Sequence, residues 1–139
     1  MAALVRLPIT DLPKAHEFDI GAVDVTPDGV ERYLAAVEDT NAVYTKCGLA
    51  PPVAVAALAL AQLLDVIELP DGTLHTGQEI EMHAGVPIGA NLSMRGRIAQ
   101  RSLRAGMVII VIEFALTPTG ASDPALTGRT TVMVQGGAV

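Results

Sequence analysis

Few side chains in this sequence are of types that do chemistry, and their spacing limits what each can do. His75, Glu79, Glu81 and His83 share one parity in an alternating stretch, and residues two apart on a strand point the same way, so four metal-binding types would stand together. A strand advances about 3.3 Å per residue, which spreads the four too widely to converge on one ion. A solvated face with no metal is expected. Cys47, beside Gly48, would act as a nucleophile only if a histidine approached it, and a buried spectator thiol is the simpler expectation. Asp65 and Glu68 close an apolar segment. As general bases they would suit a hydrolase, but charged groups at a helix end are usually just solvated. The glycines at 85, 89 and 120 match neither the P-loop nor the dinucleotide fingerprint, so no nucleotide cradle is expected. What remains is Tyr44 to Ala61, where a turn with Gly48, Pro51 and Pro52 runs into an apolar helix. The first N–H groups of such a helix lack intrahelical partners and can hold a carbonyl or thioester oxygen.

The elements that must position this turn follow from pattern. Residues 1–17 form an irregular lead-in with Pro8 and Pro13, followed by a short strand around Phe18 to Val25. Thr26 and Pro27 read as N-cap and first residue of an amphipathic helix ending near Thr40, with Val30, Tyr33, Leu34 and Val37 at helical spacing. Asn41 to Gly48 connects it to the proline turn. Val53 to Val66 is apolar nearly all round, which predicts a central helix buried nearly all round. Its five alanines from Ala54 to Ala61 let a sheet approach closely.

Beyond Leu69-Pro70-Asp71-Gly72 the chain reads as four strands: Leu74 to Ala84, Leu92 to Arg101, Met107 to Leu116 and Gly128 to Gln135. In the first, Gln78, Ile80 and Met82 share a face; in the second, Leu92, Met94 and Ile98 turn inward and Ser93, Arg95 and Arg97 outward. If these two close as a hairpin, Glu79 and Glu81 lie near Arg97 and Arg95. Met107 to Leu116 is apolar on both faces, as expected of a central strand that is covered twice or meets another subunit. The layout is α+β, an antiparallel sheet wrapped around one long helix.

A chain of 139 residues fits one domain. Half the residues are hydrophobic and only 3% aromatic, so the chain folds on a core of Ala, Val, Leu and Ile. A formal charge of −6 without any Lys/Arg block argues against nucleic acid. Leu49 to Leu64, broken by Pro51, Pro52 and Gln62, is too short to span a membrane. The N-terminus lacks the order of a secretory leader, and one cysteine makes no internal disulfide, so a cytoplasmic protein is expected.

At the proline turn the sequence resembles the MaoC-like hotdog family. Tyr44, Gly48 and Leu49-Ala50-Pro51-Pro52-Val53, followed by an Ala/Leu helix, look like the approach to that family's central helix. Leu74 to His83 resembles the strand that follows the helix in its N-terminal dehydratase half, and Gly89 to Arg97 and Val108 to Phe114 continue the likeness, which runs from about Asp19 to Val134. The family's (R)-specific enoyl-CoA hydratases carry Gly-Asp-x-Asn-Pro-x-His on this turn. Laid from Gly48 to Ala54, Pro52 matches, but Leu49 stands at the Asp place and Ala54 at the His place.

The resemblance therefore implies a hotdog-fold subunit with no catalytic residue of its own, belonging to an acyl-thioester dehydratase or enoyl-CoA hydratase, a lyase of fatty acid or polyketide metabolism. Its substrate would be an acyl-CoA or acyl-carrier thioester, bound by Tyr44, Gly48, Pro51, Pro52, Val53 and Gln78, with no cofactor. Its partner would be a second hotdog chain, in a homodimer or in a heterodimer whose other subunit carries the dyad. Two alternatives stand beside it: a hotdog acyl-CoA thioesterase using Asp65 or Asp39, and a non-catalytic assembly module.

Overall fold

A computed structural model describes residues 6–136. In chain order the elements are β1 (Leu7–Pro8), a 3-10 turn (Ile9–Asp11), β2 (Glu17–Asp24), α1 (Pro27–Ala36), α2 (Val43–Cys47), α3 (Pro52–Val66), β3 (Ile67–Glu68), β4 (Leu74–Met82), β5 (Asn91–Arg104), β6 (Met107–Pro118) and β7 (Leu126–Gln135). The α+β layout expected from pattern is the one observed. Thr26 caps α1, its hydroxyl accepting from the Gly29 N–H at 3.0 Å. Residues 1–5 of the expected lead-in lie outside the described residues. The rest of it is more ordered than its prolines implied: β1 pairs in parallel with β3, and Arg101 donates to the carbonyls of Thr10 at 2.8 Å, Leu12 at 2.9 Å and Ile9 at 3.4 Å. The parity of β5 explains this strap. Its register slips between Ile98 and Gln100, which turns Arg101 to the inner face opposite Ile110.

The large sheet is antiparallel throughout, in the order β2-β5-β6-β7-β4. Its inner face carries the core: Ile20, Leu92, Met94, Ile98, Ile110, Ile112, Leu116 and Leu126 are almost wholly buried, together with Val55, Ala59 and Leu63 of α3. Gln62 on the same helix donates from Nε2 to the Ile20 carbonyl at 2.8 Å, where β2 shifts register between Asp19 and Gly21. Across the middle of the inner face runs the row Phe18, Gly96, Phe114, Gly128, Ile80. A Cβ at Gly128 would stand 2.5 Å from the Phe114 ring and 2.6 Å from the Glu79 carbonyl, and one at Gly96 would meet Ile20 at 2.7 Å and Phe18 at 2.9 Å. The two glycines are what leaves room for both phenyl rings in this row.

Two expectations are corrected. β4 and β5 do not form a hairpin: β4 pairs only with β7, at the edge, and β5 lies between β2 and β6. The charges seek other neighbours, Glu113 holding Arg129 at 2.6 Å and Arg97 at 3.6 Å. Nor is α3 buried all round. Val53 is 57% and Leu64 39% exposed, and Ala57 and Ala61 are exposed as well, because the sheet of a single chain covers only one side of the helix. β6 is the central strand as expected, its inward side chains buried and its outward ones half-exposed.

Candidate functional site

The turn before α3 is built by three backbone devices. Gly48 ends α2 at φ +66°, a left-handed conformation that glycine adopts without the Cβ penalty. The chain then pairs with the segment after β4: the Ala50 N–H donates to the Val86 carbonyl and the Ile88 N–H to the Gly48 carbonyl, both at 2.8 Å, bridging Leu49 and Pro87. Finally Pro51 and Pro52 start the helix, Pro52 supplying a preset φ where no N–H is needed. The Val55 N–H reaches back to the Pro51 carbonyl at 3.2 Å. Pro52 has no N–H, so those of Val53 and Ala54 are the ones left without an intrahelical partner.

Beside this turn lies an open cavity of about 460 Å³, lined by α2 (Val43, Tyr44, Cys47), by Leu49, Ala50 and Pro52, and by Met82 to Val86. Its walls are mostly apolar. Tyr44, Pro52 and the Leu49 place therefore come together on one cavity. Gly48 and Pro51 shape the turn without lining it, and Val53 projects to solvent. Gln78 is set apart: its Oε1 accepts from the buried Thr130 hydroxyl at 2.9 Å. Thr130 in turn lines a second, narrower cavity of about 130 Å³ under the C-terminal half of α3, walled by Leu60, Leu63, Leu64, Ile112 and Val132. At the two dyad places Leu49 is 40% exposed, its methyls lying over Gly85, whereas Ala54 is 2% exposed.

Of the other chemically capable residues, Cys47 and His83 share the wall of the larger cavity; the rest do not assemble. Register slips between His75 and Gly77, so His75 turns inward to the small cavity while Glu79 and Glu81 face outward. His83 shares a 2.8 Å hydrogen bond with the Thr127 hydroxyl. Among the described residues no three His, Cys, Asp or Glu could hold a metal ion. Asp65 and Glu68 are exposed and Asp39 accepts from the Asn41 N–H at 2.9 Å; none of the three lines a cavity described above. Cys47, expected to be buried, is exposed on the last turn of α2, a helix read from sequence as connector. Sequence reading also missed the Met82–Val86 wall; its only signal was the run of small residues at Ala84 and Gly85.

No protein-family model matches this sequence, and no curated protein matches it. Solved structures do match in fold. The C-terminally truncated HadBC complex of Mycobacterium tuberculosis, a 3R-hydroxyacyl-ACP dehydratase, superposes with a TM-score of 0.74 at 21% identity over 86% of this chain and 96% of that one. A MaoC-like dehydratase superposes at 0.71 and 21% identity over 88% of this chain, which spans only 42% of that longer protein. The R-hydratase PhaJ1 of Pseudomonas aeruginosa gives 0.70 at 16% identity over 94% and 86%. The fold is that of the MaoC-like hotdog proteins.

Proposed function

We propose that this chain is a subunit of a MaoC-like acyl-thioester dehydratase or (R)-specific enoyl-CoA hydratase, binding the acyl group while a partner hotdog chain transfers the protons. One observation carries the reading: on a hotdog scaffold, the turn leading into the central helix borders an apolar cavity, yet its two acid-base places hold Leu49 and Ala54. Neither side chain can move a proton. Adding water across an enoyl thioester puts hydroxide on C3 and a proton on C2, with negative charge building on the thioester oxygen between. The free N–H groups of Val53 and Ala54 are suited to that oxygen, and the apolar walls to the chain behind it. The base and acid would come from the partner. The exposed stripe Val53, Ala57, Ala61 and Leu64 on α3 and the open edge of β4 give such a chain a place to dock, in a homodimer or a heterodimer. No helix among the described residues is long and apolar enough to cross a membrane, and with its thiol free we place the protein in the cytoplasm.

Calorimetry with C4, C8 and C12 acyl-CoA tests the binding role. Each buried methylene contributes about 0.8 kcal/mol, so affinity is expected to climb with length until the cavity is full. Leu49→Trp, which fills that cavity, should weaken C12 more than C4. If no acyl-CoA binds, alone or with a partner hotdog chain, the thioester role is wrong and the fold alone stands.

A further inference from the structure

Among the described residues nothing covers the outward face of the large sheet. Not one of its outward side chains is buried, although β6 runs through the middle of the sheet. The face has a pattern. Across strands in the order β2, β5, β6, β7, β4, one row reads Glu17, Arg97, Glu113, Arg129, Glu79, alternating in sign at every step; the row beside it reads Asp19, Arg95, Ala115, Thr127, Glu81. On the other side of the charged rows the face becomes apolar, with Val111, Ile109 and Met133 half-exposed and Leu74 exposed. An open trough of about 860 Å³ runs over the charged part. Within β4 to β7 its charges balance, with Arg95, Arg97 and Arg129 against Glu79, Glu81 and Glu113, in a chain whose net charge is −6. The Glu113 carboxylate is already held between Arg129 and Arg97, so these groups need little ordering on contact.

We propose that this face docks a second copy of the chain, sheet on sheet, about a two-fold axis running along the strands between β6 and β7. The charge pattern selects that arrangement. With the axis along the strands, β6 lies over β7 of the other copy and β5 over its β4. Glu113 then faces Arg129, Arg97 faces Glu79 and Arg95 faces Glu81, each contact occurring twice by symmetry. The apolar residues follow the same geometry, since Ile109 meets Met133 and Val111 meets Thr131. An axis across the strands would instead lay each strand on its own copy, setting Arg97 against Arg95, Glu79 against Glu81 and Glu17 against Asp19. Like charges so placed oppose docking. Sheets packed face to face keep their strands within about 30° of one another, which a two-fold axis near the strand direction satisfies. The surface is independent of the cavity and of the α3 stripe, so the inference does not rest on the proposed acyl role.

Sedimentation velocity of the purified full chain across a concentration series, at low and high salt, tests it. The wild type is expected to double in size with concentration, and high salt should weaken that step. Arg95→Glu or Glu81→Arg alone should weaken it about tenfold or more, by setting like charges opposite each other twice. The double variant R95E/E81R should restore it to within about threefold, because the pair is re-formed only between copies: within one chain β4 and β5 are not neighbours. Unchanged circular dichroism and melting for each variant keep the reading free of misfolding. Should another surface also pair chains, the reversals remove one doubling of a larger assembly and the double variant returns it. A chain that never self-associates overturns the proposal, as do single reversals without effect or a double variant no better than the singles.

Discussion

Purified by itself, the chain is expected to hydrate crotonyl-CoA no faster than background. A positioned general acid or base contributes about 10² to 10⁴ in rate for each role, and Leu49 and Ala54 remove both from the turn. Asp65, Glu68 and Asp39 lie off the cavity and do not replace them; His83 lines it, but its Nε2 is hydrogen-bonded to the Thr127 hydroxyl. Activity should appear when a partner hotdog chain with an Asp and a His on this turn is added. The reciprocal variant Leu49→Asp with Ala54→His asks whether the scaffold can still carry the reaction. Asp is easily placed, because Leu49 is 40% exposed; His is not, because Ala54 is 2% exposed and its neighbours must shift. Partial recovery at best is expected, read by the loss of enoyl absorbance. Robust hydration by the unmodified chain would end the acyl-binding-only reading and turn attention to Tyr44, Cys47 and His83.

The largest stability effect is expected from Ala59→Phe. Ala59 is wholly buried at the middle of α3, and its methyl group sets how near the helix comes to the sheet. A phenyl ring there must push the helix out or force strained rotamers, at a cost of about 1 to 3 kcal/mol. Thermal melting of the variant beside Ala61→Phe separates the two sides of the helix, since Ala61 is exposed and should tolerate the ring within about 0.5 kcal/mol. Equal melting for wild type and Ala59→Phe would mean that this helix is not the one the sheet wraps.

How far the fold was legible depended on the range of the forces that set it. Alternation placed Leu92, Met94 and Ile98 inward and Arg95 and Arg97 outward because a strand's pleat is local, and Thr26-Pro27 marked α1 because capping is local. Strand partners are not local. Glu79 and Arg97 look like a hairpin pair in sequence, yet the sheet order puts two strands between theirs; the long, doubly apolar β6 had to take the centre, and β4 went to the edge. Parity failed at His75 and Arg101 for one shared reason. A single-residue slip in register, leaving no mark in side-chain pattern, turned both inward. The site was half legible. Tyr44 and the Leu49 to Pro52 turn announce themselves by proline and glycine, whereas the Met82–Val86 wall reaches them only through backbone bonds to Gly48 and Ala50, which any sequence can make.

The row of two phenylalanines and two glycines also bears on how the native state can be watched. The chain has no Trp, and these are its only two Phe, so fluorescence says little about the core. The ring of Phe114 stands where a Cβ of Gly128 would be, and Phe18 stands in the same relation to Gly96. The glycine α-protons that point at these rings lie within reach of their ring currents. Those few resonances will be displaced only while the row is intact. They give a reporter of packing at the middle of the sheet that needs no label and no substitution.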